Sequence, residues 1–215
     1  MIRCVVFDFD GTIRQSVSIK HEAYFVAVRG IERGDEIFRD IIRDFPTMTR
    51  FSGCALFAER ARTLGIDTPS GEELAERYSR ACEDAIAACP EVPGAGAFLD
   101  WLRPQGIDCF VVSGTPQVPL RETVRRIGLE DRFVDVLGDP TGKPQHYADI
   151  LARTGHAPET LLAIGDGDDD KAAAFSVGGQ FVRVKGGAGA VQTGEWAVNA
   201  LTEICAIPEL VFPEA

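Results

Sequence analysis

The chain has 215 residues, 45% hydrophobic and 26% charged, which suits one folded domain with a sizeable insertion or two small domains. Its net charge of −11 disfavours nucleic acid and anionic membrane as non-specific partners, yet leaves room for a local basic site that takes a small phosphorylated anion. No apolar run approaches the roughly 18 residues of a membrane helix, and no basic segment leads into an apolar signal core, so a cytoplasmic location is expected.

The first strand is "CVVF" (4–7), and "FDFDG" ends it with Asp8 and Asp10. Side chains two apart on an extended strand share a face, so these carboxylates repel unless something makes the pair tolerable. Between Thr12 and Pro90 the pattern is helical, with helices expected over 17–33, 35–45, 51–65 and 71–89. "DEIFRDIIRDF" carries the stripe Ile37, Phe38, Ile41, Ile42 and Phe45, and Ser70 with Glu73 has capping-box spacing. "PEVPGAG" (90–96) reads as a return hinge.

Apolar runs of strand length then recur at "IDCFVV" (107–112), "FVDVL" (133–137), "TLLAI" (160–164) and "QFVRV" (180–184). Helical patterns fall between them in "GAGAFLDWLRPQ", "PLRETVRRIG" and "PQHYADILARTG". "EWAVNALTEI" (195–204) reads as a short edge strand followed by a helix. Near-continuous apolar runs suit parallel strands covered on both faces. The expected fold is α/β, a doubly wound, mostly parallel core of residues 1–14 and 92–215, with an all-helical module, 15–91, inserted after the first strand. Six cysteines (Cys4, Cys54, Cys82, Cys89, Cys109, Cys205) lack C-x-x-C spacing and read as buried free thiols.

In an open parallel sheet, ligands collect beyond the carboxyl ends of the strands. Those ends carry Asp8 and Asp10, then Ser113, Gly114 and Thr115, then Lys143 in "GDPTGKP", then Asp166, Asp168, Asp169 and Asp170 in "GDGDDD". Several carboxylates on one edge call for a cation, and an oxygen-rich set with open positions suits Mg²⁺. One lysine and one serine amid Gly-rich backbone suit a phosphate, and a carboxylate nucleophile would complete a phosphoryl-transfer site. Thr115-Pro116 reads as a helix start with Thr115 as cap. The three acids 168–170 cannot all be ligands, because a helix N-terminus welcomes acids for dipole reasons alone.

"DFDGT", "VVSGT", "GKP" and "GDGDDD", in that order and each at a strand end, resemble the four motifs of the haloacid dehalogenase superfamily. The helical module is similar to the cap of its phosphoglycolate phosphatase-like and β-phosphoglucomutase-like branches. The resemblance implies a Mg²⁺-dependent phosphatase of a small phosphorylated metabolite, a monomer or weak homodimer. Asp8 would attack phosphorus and become an aspartyl phosphate; Asp10 would protonate the leaving alcohol and then activate water. Ser113, Gly114, Gly11 and Lys143 would hold the phosphoryl group. Asp8, the backbone carbonyl of Asp10, Asp166 and Asp170 would hold the metal, with Asp170 as ligand or second shell. Crowding by like charge should raise the pKa of Asp10, as a general acid requires.

Close phosphoglycolate phosphatase relatives often read "DGTLVDS" where this chain reads "DGTIRQS", so Gln15 stands in place of an acid and Arg14 of an apolar residue. Arg14 and Arg50 are candidates for an anionic substrate group, beside Gln15, Lys20, His21 and Arg43, against the reading of a solvated or ion-paired face. A phosphomutase and a catalytically silent phosphate-binding module are the alternatives.

Overall fold

The structure, a computed structural model, describes residues 1–45, 48–187 and 189–213. Six strands build its sheet: β1 (Cys4–Phe7), β2 (Asp108–Pro116), β3 (Asp135–Asp139), β4 (Leu161–Gly165), β5 (Gln180–Val184) and β6 (Ala197–Val198). Their order is β3-β2-β1-β4-β5-β6, and every neighbouring pair is parallel. β1 lies between β2 and β4, with Phe7 opposite Val111 on one side and Ile164 on the other. A parallel pair needs a crossover, and crossovers cover both faces with helices. All residues of β1 and β4 are accordingly buried, which is why their sequences run apolar without alternation.

One face packs Cys4, Val6, Phe110, Val112, Leu161 and Ala163 against Tyr147 and Ile150 of α7 (Lys143–Thr154) and Ala173 and Ala174 of α8 (Asp168–Ser176). On the other, Phe7 meets Phe98 of α5 (Ala95–Leu102) edge-on at 6.2 Å and Phe133 at 6.1 Å. The chain divides into two compact units, Met1–Val17 with Cys89–Ala215, and Ser18–Ala88. The second unit is helical: α1 (Val17–Ala27), α2 (Gly34–Asp44), α3 (Arg50–Thr63) and α4 (Gly71–Ala88). Its core is a run of aromatic rings, with Tyr24 4.6 Å from Tyr78 and 4.7 Å from Phe38, and Phe38 stacked on Phe57 at 5.1 Å. The expected capping box forms: Glu73 accepts the Ser70 N–H at 2.8 Å and Ser70 Oγ accepts the Glu73 N–H at 3.2 Å.

Several expectations need correction. α1 stops at Ala27 rather than 33, because Gly30 (φ 85°) and Arg33 (φ 55°) take left-handed conformations that a helix cannot continue through. Phe45, expected on the apolar stripe of α2, lies beyond the helix end and is exposed. β2 runs on to Pro116, so Thr115 is a strand residue and Pro116 occupies the N-cap of α6 (Gln117–Arg126). The last helical segment is 3₁₀, Leu201–Ala206. All six cysteines are free, but Cys205 is exposed. No helix among the described residues is long and apolar enough to cross a membrane.

Phe98 is fully buried against Phe7. Phe98→Ala should lower the unfolding free energy by about 3–5 kcal/mol in a denaturant titration, and a loss below about 1 kcal/mol would mean that this face is loosely packed.

Candidate active site

The strand order reverses at β1, and in open parallel sheets ligands collect at the carboxyl ends beside such a point, here those of β1, β2 and β4. The Asp8 N–H still bonds the Ile164 carbonyl at 2.9 Å, so the sheet ladder holds the residue that ends β1. Asp8, Asp166 and Asp170 are 4%, 4% and 0% exposed, and each offers a carboxylate oxygen within 4.8 Å of the others. Lys143, first residue of α7, sends Nζ to Asp8 Oδ1 at 3.1 Å, Asp170 Oδ1 at 2.6 Å and Asp169 Oδ2 at 2.8 Å.

Glycines let these groups approach. Gly11 has φ +82°, and a Cβ there would lie 2.5 Å from Asp166 Oδ2; a Cβ on Gly187 would collide with the same carboxylate. Any side chain at either position would displace Asp166 from the cluster.

Burial pushes the Asp8 carboxyl up, Lys143 pulls it down, and Asp170, Asp166 and Asp10 push it up again; the result is well above the ordinary carboxylate range. Asp170 is pushed up to about 6, first by burial, against the pull of Lys143. Burial opposes the charge of Lys143, but Asp8, Asp170 and Asp169 hold its pKa well above the ordinary value. Fully ionised, Asp8, Asp166 and Asp170 would carry more negative charge than Lys143 offsets, and that crowding is part of what raises the Asp8 and Asp170 carboxyls. Closely spaced, all-oxygen and negative, this set fits a divalent cation.

Asp10 stands in a second group. Its carboxylate accepts Ser16 Oγ at 2.6 Å and Thr115 Oγ1 at 3.0 Å, and Ser113 Oγ lies 3.5 Å away. Ser113 Oγ also accepts the Thr115 N–H at 3.1 Å. Thr115, expected as a helix cap, and Ser16, which no motif marked, thus both serve Asp10.

The acidic run separates by partner. Asp170 joins Asp8 and Asp166 and shares Lys143 with the exposed Asp169, whereas Asp168 accepts Arg183 Nη2 at 2.7 Å. Gly114 is exposed with open space around its Cα. Arg14 belongs to the α/β unit and donates to the Cys89 carbonyl. Arg50, in the helical unit, donates to Ser79 Oγ at 2.8 Å and lies over the Tyr78 ring at 5.1 Å.

A buried carboxyl with an ammonium beside it and an acid cluster at a sheet switch point mark this edge as the candidate active site of an α/β protein. The haloacid dehalogenase-like hydrolase model matches residues 2–178, and the chain belongs to that family. The phosphoglycolate phosphatase of Synechococcus elongatus is 26% identical over 180 residues, covering 82% of this chain and 81% of its own. That of Rhodospirillum rubrum is 30% identical over 186 residues, covering 83% and 77%. A variant of CbbY from Rhodobacter sphaeroides, solved in complex with xylulose-(1,5)bisphosphate, has the same fold, with a TM-score of 0.75 at 18% identity over 94% of this chain and 96% of that one. The curated relatives and the helical insertion after the first motif place the chain in the phosphoglycolate phosphatase-like branch.

A carboxyl whose folded pKa is raised favours folding while protonated and opposes it once ionised. In metal-free protein, the stability of wild type relative to Asp170→Asn should thus be greatest below the unfolded value of about 4 and be lost as pH rises through about 6. Thermal unfolding in chelator at stepped pH reads this difference, and a flat difference across that window would contradict the burial penalty.

Proposed function

We propose that the chain is a Mg²⁺-dependent phosphatase of a small phosphorylated metabolite, acting through an aspartyl phosphate on Asp8. The observation that carries this reading is Lys143 bridging Asp8 and Asp170 at 3.1 and 2.6 Å beside Asp166. A phosphomonoester brings up to two negative charges, and it must approach a cluster that is already anionic.

Asp8, Asp166 and Asp170 would hold Mg²⁺, with the Asp10 carbonyl completing the protein's share. When bound, the ion supplies charge neutralisation for the incoming phosphoryl group. Lys143 Nζ adds its own charge at the Asp8 carboxylate, where phosphoryl oxygens would sit. An Asp8 oxygen forms the new bond to phosphorus as the ester P–O bond breaks, and the leaving alkoxide takes the proton of Asp10. In the second half, Asp10 takes a proton from water, whose oxygen attacks phosphorus and releases Asp8 and inorganic phosphate. Both halves need the Asp10 carboxyl to turn between alcohol and water without drifting. The hydroxyls of Ser16 and Thr115 supply that restraint. Ser113 Oγ and the open Gly114 backbone are suited to bind the remaining phosphoryl oxygens.

The relatives named as phosphoglycolate phosphatases and the fold neighbour holding a sugar bisphosphate support a small organic phosphate ester as substrate. A panel of phosphorylated metabolites, assayed for phosphate release with Mg²⁺ and with chelator, tests the reading. Release should require Mg²⁺ and fall by at least about 10³-fold in Asp8→Asn, since the nucleophile is lost. Equal rates in wild type and Asp8→Asn would overturn it.

A further inference from the structure

Arg183 has no part in the chemistry above, yet it heads the fully buried side chains of the described residues by volume. A buried guanidinium is costly unless its donors find partners, and each nitrogen of this one has at least one. It lies on β5 opposite Gly165, the last residue of β4. Nε and Nη2 grip the two oxygens of Glu195 at 2.8 and 3.0 Å. Nη2 also reaches Asp168 Oδ1 at 2.7 Å, and Nη1 donates to the Asp166 carbonyl at 2.8 Å. The Gly189 N–H bonds that same carbonyl at 2.8 Å, so two donors converge on it. A side chain at position 189 would collide with Nη1.

Charge pairing alone would end at Glu195, whose bidentate grip already neutralises the guanidinium. The remaining donors go instead to the turn that carries Asp166. Glu195 is itself anchored: it accepts the Gln192 N–H at 3.0 Å and lies 3.3 Å from Lys171 Nζ on α8. The Arg183 hydrogen bond holds the Glu195 carboxyl down to about 2, so the pair stays charged at any working pH.

We propose that Arg183, locked by Glu195, is a positioning residue for Asp166: it fixes the Asp166 peptide so that the carboxylate meets Asp8 and Asp170 as a cation ligand. This rests on reading the acid cluster as a metal centre. Groups that orient ligands typically govern affinity for the metal by 10–100-fold. A role confined to core packing would lower stability and leave affinity alone.

Isothermal titration of the full chain with Mg²⁺ alone, without substrate, reads the effect directly. Asp166→Asn tests the centre itself and should abolish binding. Arg183→Gln should weaken binding by about 10–100-fold, and Glu195→Gln, which keeps shape and leaves Arg183 in place, by a smaller factor in the same direction. Arg183→Lys keeps the charge but loses the planar fork, and should recover only part of the affinity. If Arg183→Gln does not fold, Glu195→Gln and Arg183→Lys carry the test. Wild-type affinity in the folded Arg183 and Glu195 variants, with binding lost in Asp166→Asn, would overturn the positioning role and leave the metal centre standing. Wild-type affinity in Asp166→Asn would overturn the metal centre and the positioning role together.

Discussion

Buried like charge governs the carboxyl edge of this sheet. At an effective dielectric near 20, two carboxylates about 5 Å apart repel by roughly 3 kcal/mol, several times the net worth of an ordinary hydrogen bond. Asp8, Asp166 and Asp170 form three such pairs, and Lys143 contributes a single positive charge among them. The surroundings follow from that repulsion. Lys143 begins a helix that aims its ammonium at the cluster, glycines 11 and 187 leave room for Asp166, and a buried arginine grips the backbone behind it. To take the proposed anionic ester, such a site would have to be completed by a cation, and the all-oxygen donor set suits a hard one.

The sheet order makes the cluster possible. β1 sits between β2 and β4, so the residues just past their ends are neighbours although they lie about a hundred and more positions apart in sequence. The strands are buried on both faces, which gives their ends rigid positions. The two acids of "FDFDG" part company at this edge. Asp8 joins the Lys143 cluster, while Asp10 is taken up by the hydroxyls of Ser16 and Thr115. Their separation into two electrostatic settings suits the proposed roles of nucleophile for Asp8 and proton carrier for Asp10.

Much of this was legible in the residues because it depends on local pattern. Apolar runs without alternation announced parallel strands, and acids, a serine and a lysine directly after them announced the site. The sequence was less informative where long-range geometry decides. Thr115 reads as a helix cap, yet the strand continues through it and its hydroxyl turns to Asp10. "GDGDDD" offers three adjacent acids, and only the fold separates Asp170, beside Asp8 and Asp166, from the exposed Asp169, which shares Lys143 with it, and from Asp168, on Arg183. Arg183 itself sits in "QFVRV", a strand-length run in which nothing local names its partners. Its burial follows from β6 and the 192–195 turn, which cover that strand with Glu195. The end of α1 was hidden for a similar reason: apolar spacing continues through Val28 and Ile31, while the backbone turns at Gly30.

The central claim is a covalent phosphoryl group on Asp8. The most direct measurement is an acid quench of the protein during turnover of a phosphorylated substrate with Mg²⁺, borohydride reduction of any acyl phosphate, and peptide mass spectrometry. Reduction of an aspartyl phosphate converts that residue to homoserine, so homoserine at position 8, absent without substrate, is the expected result. Phosphate release with position 8 unmodified, or with the label on another residue, would contradict it.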